Sequence, residues 1–283
     1  MIVNGYNEMK PYLPAVEMKG TPSIFNDALA VAQDELVNEI LGHDIESLLE
    51  DDMEKLHSKL LTLCQREISQ SAFLKSIPEL DLVLTDAGFA VVNNERVTMA
   101  SRDRVEALRV SLAAKVDDAK DAVIAYLMKT EAYDDWRGTE EFARLSDGLI
   151  LTFAEFKDAA VLNNATAKTY PHSWSDFYNL NSALNVALMT DVASYISKDY
   201  AVEIIEKIRD RETFLPNEKK VLKLVKTAIA AHALGDARLG QEQAIAAATI
   251  MRANISDFPT FAASPEAKAL ELTHSDTPIF SLF

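Results

Sequence analysis

Apolar residues recur at spacings of three and four along most of the chain, and this periodicity constrains the fold more than any other feature. In "TPSIFNDALAVAQDELVNEILG", Ile24, Phe25, Ala28, Leu29, Ala32, Leu36, Val37, Ile40 and Leu41 fall on one helical face. Thr21 is the expected N-cap, Pro22 the first helical residue and Gly42 the stop. The same reasoning predicts helices over about 44–49, 52–74, 101–133, 175–196, 198–209, 217–234 and 239–253. Asp44, Ser101 and Asn217 are read as caps, Gly235 as a stop, and Ser264-Pro265 as the start of a short helix. "LILTFAEF" (149–156) is compatible with a strand or a helix start, because a short apolar run does not settle its own period. With 8 glycines and 9 prolines in 283 residues, turns are too few for a strand-rich sandwich. The expected class is mainly α.

Two segments look alike. "IFNDALAVAQDELVNEILGHDIESLLE" and "NLNSALNVALMTDVASYISKDYAVEIIE" align without gaps at an offset of 155, and each precedes another amphipathic helix. Leu29 then meets Leu184, Ala32 meets Ala187, Val37 meets Val192, Asp44 meets Asp199 and Leu49 meets Ile204; Leu36 opposite Asp191 breaks the pattern. The expectation is two related helical subdomains, a possible internal duplication, over 1–135 and 175–283, with a connector at 136–174.

The charge and motif content exclude more than they assign. A formal net charge of −16 argues against a protein that grips nucleic acid by its phosphates. No run approaches the roughly 20 apolar residues of a membrane span, and "MIVNGYNEMKPYLP" is not the start of a signal peptide. The single cysteine, Cys64, lies on the apolar stripe Leu60, Leu61, Leu63 and Ile68, and reads as a core residue. Gly42-His43-Asp44 resembles half of a metal-hydrolase site, but no second ligand motif accompanies it. Walker, G-x-S-x-G, H-E-x-x-H and C-x-x-C sequences are missing. Paired acids such as Asp134-Asp135 and Glu140-Glu141 fit solvated helix edges. The expectation is a protein that is not an enzyme and uses no cofactor or metal.

The helical pattern fails most clearly over "LVLTDAGFAVVNNERVTMASRDRVEAL". β-favouring clusters there flank Gly88 and Asn93-Asn94, so a small β-hairpin or tongue is expected at about 82–99, inserted in the first subdomain. Large aromatics also occur outside periodic segments: Phe258 and Phe261 near the C-terminus, then Phe280 and Phe283 in the tail. They either fold back on their own core or insert into a neighbouring subunit. Candidate partner-contact residues are therefore Thr85, Gly88, Phe89, Val91, Val92, Phe258, Phe261, Phe280 and Phe283.

Thr85, Asp86, Gly88, Phe89, Val91, Val92, Asn94, Ala100, Ser101, Arg104 and Val105 together resemble a segment of an uncharacterised helical family encoded by Bacteroides phages and prophages among capsid and tail genes. Met99 departs from that pattern, standing where a proline is expected. "LILTFAEFKDAAVLNN" and the "ILG" after the first helix look similar too. The resemblance implies a virion structural protein, most simply a head–tail connector (adaptor). Such a protein forms a homo-oligomeric ring, contacts the portal and tail proteins, and lets DNA pass through its lumen without specific binding. It would be assembled in the bacterial host cytoplasm and would not contact a membrane. The alternative is a cytoplasmic helical protein-binding module with no virion role, with a metal-dependent hydrolase using His43 and Asp44 a distant third.

Overall fold

Helices realise most of the predicted periodicity. The computed structural model describes residues 1–13, 22–50, 57–80, 82–85, 88–91, 102–146 and 149–268, and the protein is mainly α. It forms two compact units, 1–142 and 143–283. No helix among the described residues is long and apolar enough to cross a membrane.

In unit 1 a short helix α1 (Tyr6–Met9) precedes α2 (Asn26–Leu36), which runs into a π-helical turn at Val37–Leu41. Gly42 ends that turn: its N–H donates to the Val37 carbonyl at 2.8 Å and its backbone sits at φ 76, ψ 159. A side chain here would be strained by the positive φ, and a Cβ would also lie 2.9 Å from Glu141 Oε2. Helix α3 (His43–Glu50) starts directly afterwards. The long helices α4 (Ser58–Leu80) and α5 (Arg102–Lys129) follow, and α4 packs against both α2 and α5. Residues 67–73 of α4 are consequently buried on every side. Leu29, Ala32, Leu36, Leu60, Cys64, Ile68, Leu112 and Val123 make this core. After α5 a 3-10 segment (Glu131–Gly138) places Trp136 so that its indole N–H donates to the Ile40 carbonyl at 2.7 Å, before α6 (Glu140–Ser146). Strands β1 (Leu82–Thr85) and β2 (Gly88–Val91) lie between α4 and α5. They pair antiparallel, with Leu82 opposite Val91 and Thr85 opposite Gly88.

Unit 2 contains α7 (Phe153–Ala159), α8 (Trp174–Asn179), α9 (Asn181–Val186), a π-helical turn (Ala187–Val192), α10 (Ala193–Ile196), α11 (Lys198–Arg209), α12 (Pro216–Ala233), α13 (Ala237–Ala253), a 3-10 turn (Ile255–Asp257) and α14 (Pro259–Ala263). From α9 onward the order follows unit 1 from α2 (helix, π turn, a residue of positive φ, helix, two long helices, a 3-10 segment, a short helix), except that the four-residue α10 stands between the π turn and the positive-φ residue and the hairpin between the long helices is missing. Ser197, 155 residues after Gly42, sits at φ 73, ψ 150, almost the same backbone conformation. The pairs Leu29/Leu184, Ala32/Ala187, Val37/Val192, Leu41/Ile196, Ile45/Tyr200 and Leu49/Ile204 are buried in both units. The units differ most between their long helices, where residues 81–101 of unit 1 stand against only 234–236 of unit 2.

Several sequence expectations need correction. The 136–174 stretch is not a connector: Trp136 and Phe142 are core in unit 1, and Ile150, Phe153, Phe156 and Trp174 are core in unit 2. Helix α5 ends at Lys129, short of 133. "LILTFAEF" resolves into a short buried run with no regular structure, in which Leu149 has φ 49, and then helix α7, whose N-cap Thr152 accepts from the Glu155 N–H at 3.2 Å. Asp44 lies in the first turn of α3, because Gly42 occupies the preceding junction. Asn217 does not cap α12; Pro216 and Leu215 begin that helix, and the Leu215 N–H is satisfied by Glu218 Oε2 at 2.7 Å. Thr21 and Ser101 lie outside the described residues.

Candidate functional site

Among the described residues each hairpin strand has one partner, so β1 and β2 each present one outer edge. Thr85, Gly88, Phe89 and Val91 all lie on the paired strands, with Leu84 opposite Phe89. Val92, the Asn93-Asn94 turn and the expected third stretch to Met99 are outside the described residues, as are Phe280 and Phe283. The hairpin thus gathers four of the nine predicted contact residues.

Phe258 and Phe261 go elsewhere. Both are wholly buried in unit 2, and Phe258 makes an edge-on contact with the Tyr200 ring at 5.6 Å between centroids. The residues just before and within α14 turn these rings inward onto α11, so they are core and offer no surface to another subunit. The aperiodic spacing that suggested docking arises because Phe258 is the junction between a 3-10 turn and α14, and Phe261 lies in that five-residue helix.

Two clefts differ in charge, one acidic and one of mixed sign with lysines in a slight majority. In unit 1, Gly42, His43, Asp44, Asp135, Gly138, Thr139, Glu140 and Glu141 line a cleft of about 480 Å³, with no lysine or arginine among the described lining residues. His43 is exposed, its Nδ1 3.1 Å from Glu46 Oε2. No group of three or more His, Cys, Asp or Glu side chains among the described residues is arranged to hold a metal ion. In unit 2, Lys219, Lys223 and Lys226 of α12 face Glu155 and Asp158 of α7 across a groove of about 490 Å³, floored by Leu222 and Ala159. Lys226 pairs with Glu155 at 3.3 Å. The spacing Lys219, Lys223, Lys226 was readable in "NEKKVLKLVK" as one basic helix face, and the sequence reading passed over it.

A buried polar network lies under α4. Glu67 is 1% exposed and its Oε2 has no hydrogen-bond partner. Burial pushes its carboxyl up to about 8; Lys120 opposes that rise, while Glu35 and Glu39 add to it. Lys120 also pairs with Glu39 Oε2 at 2.6 Å, and Lys75 with Glu35 at 2.8 Å, so both nearby cations are shared with other carboxylates. Cys64, one turn earlier, is fully buried and its thiol is driven far above the usual range by desolvation, the opposite of a nucleophile's environment. In unit 2, Lys207 bridges Glu203 at 2.8 Å and Glu218 at 2.6 Å; burial works against its charge, but these two carboxylates hold its ammonium above the ordinary value.

Residues 25–145 match a family of unknown function (DUF6712). The match takes in nearly all of unit 1 from the start of α2, hairpin and acidic cleft included, and is less than half of the chain. No curated protein and no solved structure matches the chain.

Proposed function

We propose that this chain is a bacteriophage virion structural protein, most simply a head–tail connector that forms a homo-oligomeric ring between portal and tail. The observation that carries the reading is the β1–β2 hairpin. It occupies the most distinctive segment of the phage-family resemblance, with Thr85, Gly88, Phe89 and Val91 on its two strands. Each strand offers an outer row of backbone donors and acceptors, which an extended segment of a neighbouring protein would complete. Partners are further copies of the chain, the portal and the tail proteins. A ring of subunits, each carrying −16, would present a negative lumen that repels passing DNA. The role requires no cofactor and no catalysis, and places the protein in the virion after assembly in the host cytoplasm. The recurring element order and the Gly42/Ser197 correspondence support descent of the two units from one duplicated ancestor, with the hairpin as a later insertion into the first copy.

The test is substitution on β2. Phe89→Ser with Val91→Ser removes apolar contact worth about 1.5–3 kcal/mol per fully buried side chain, and a ring repeats that loss at every interface. Circular dichroism should be unchanged, while incorporation into particles co-expressed with portal and capsid proteins should be lost. Normal incorporation of the double variant would refute the hairpin as the assembly contact.

A further inference from the structure

A chain carrying −16 repels its own copies, so self-association is favoured where the local charge is inverted. Unit 2 has such a place. Lys219, Lys223 and Lys226 stand on one face of α12 at spacings of four and three. Lys226 shares its charge with Glu155, but neither Lys219 nor Lys223 has an ion-pair partner among the described residues. Half-buried Leu222 lies among them, and Glu155 and Asp158 form the facing wall, so the lysines outnumber the carboxylates around the groove by one. The opposite arrangement occurs in unit 1, where Asp44, Asp135, Glu140 and Glu141 line a cleft of nearly the same volume with no lysine or arginine among its described lining residues. The two surfaces differ from each other and are complementary in sign.

We infer that the lysine groove of unit 2 receives the acidic cleft of unit 1 from a second copy of this chain, in a head-to-tail contact. Such a contact joins two different surfaces, so each bound copy leaves one groove and one cleft free. Repetition then closes into a ring or extends as a filament, whereas a contact between like patches stops at a dimer. The inference rests on the assembly role proposed above and gives it an interface separate from the hairpin. Charge pairs at the rim of such a contact make it salt-sensitive, because the groups are exposed and screened over about 10 Å at 0.1 M salt.

The experiment uses the full-length chain and two charge-reversal variants, Lys219→Glu/Lys223→Glu and Asp44→Lys/Asp135→Lys, in sedimentation velocity over a range of concentration and salt. All four positions are exposed, and circular dichroism checks that both variants fold. The wild-type chain should associate with rising concentration and dissociate with added salt. Each variant alone should lose association by roughly tenfold or more. Mixing the variants should restore it, because the acidic groove of one then meets the basic cleft of the other. Wild-type oligomers that persist unchanged in both variants would overturn this contact and leave the ring reading intact. A wild-type chain that stays monomeric throughout would overturn both. A poly-aspartate peptide that binds a monomeric wild-type chain but not Lys219→Glu/Lys223→Glu would assign the groove to a foreign acidic partner, and would also overturn the contact.

Discussion

Replacing Glu67 by glutamine should remove a pH dependence from the stability of unit 1. The Glu67 carboxyl is held at about 8 in the fold against an ordinary value of 4.5. The native state therefore keeps a proton that the unfolded chain releases as pH rises above 4.5. For a carboxyl raised in this direction, stability is fully present below the unfolded value and falls with rising pH until the folded group ionises near 8. Each pH unit in that window costs about 1.4 kcal/mol, which amounts to on the order of 3 kcal/mol at neutral pH. The value of about 8 already includes the opposing pull of Lys120, whose ammonium also lies 2.6 Å from Glu39. The assay is urea unfolding of the wild type and Glu67→Gln at several pH values between about 5 and 8, at constant ionic strength. Subtracting one curve from the other cancels every other titrating group. The wild type should lose stability relative to the variant by about 1.4 kcal/mol per pH unit across the window. Parallel curves would refute the reasoning, and would mean that Glu67 folds as an ionised partner of Lys120.

Two smaller changes test local geometry in unit 2. A Cβ at Gly240 would lie 2.3 Å from His232 Cδ2, so Gly240→Ala should force α12 and α13 apart and cost about 1–3 kcal/mol in thermal or urea unfolding; a neutral result would show that the His232 ring can swing away. Ser197→Gly should stabilise the protein by up to about 1 kcal/mol, because relief of the positive φ outweighs the few tenths lost when glycine replaces a serine cap, whereas Ser197→Ala keeps the strain, loses the cap and should destabilise.

Much of the helical framework was legible. Helix α11 spans Lys198–Arg209 as predicted, and Gly42 and Gly235 mark their stops because both need positive φ. The α7 start was legible too, since Thr152-x-x-Glu155 is a capping-box sequence, but the apolar run before it obscured the signal. Other features depend on tertiary packing that no local pattern encodes. Helix α4 has a polar sequence around Glu67, Ser69, Gln70 and Ser71, and only the placement of α2 and α5 on either side of it buries them. Phe258 and Phe261 misled for the same reason, as Phe258 is buried against Tyr200 and α14 packs on α11, both far from them in sequence. The acidic cleft joins residues 42–44 to 135–141, a proximity set by Gly42 against Glu141 and by Trp136 on Ile40.

The unequal connections between the long helices also bear on the order in which the chain acquires structure. Helices α12 and α13 are joined by three residues, and α4 and α5 by about twenty. Loop-closure entropy rises with the logarithm of length, so bringing α4 to α5 costs about 2 kcal/mol more than bringing α12 to α13. The α12–α13 pair is thus the natural nucleus of unit 2, built from near neighbours along the chain, and it emerges from the ribosome after unit 1. Closure of either connection is nonetheless fast beside synthesis, so α4 can pair with α5 in unit 1 while α12 and α13 are still being made.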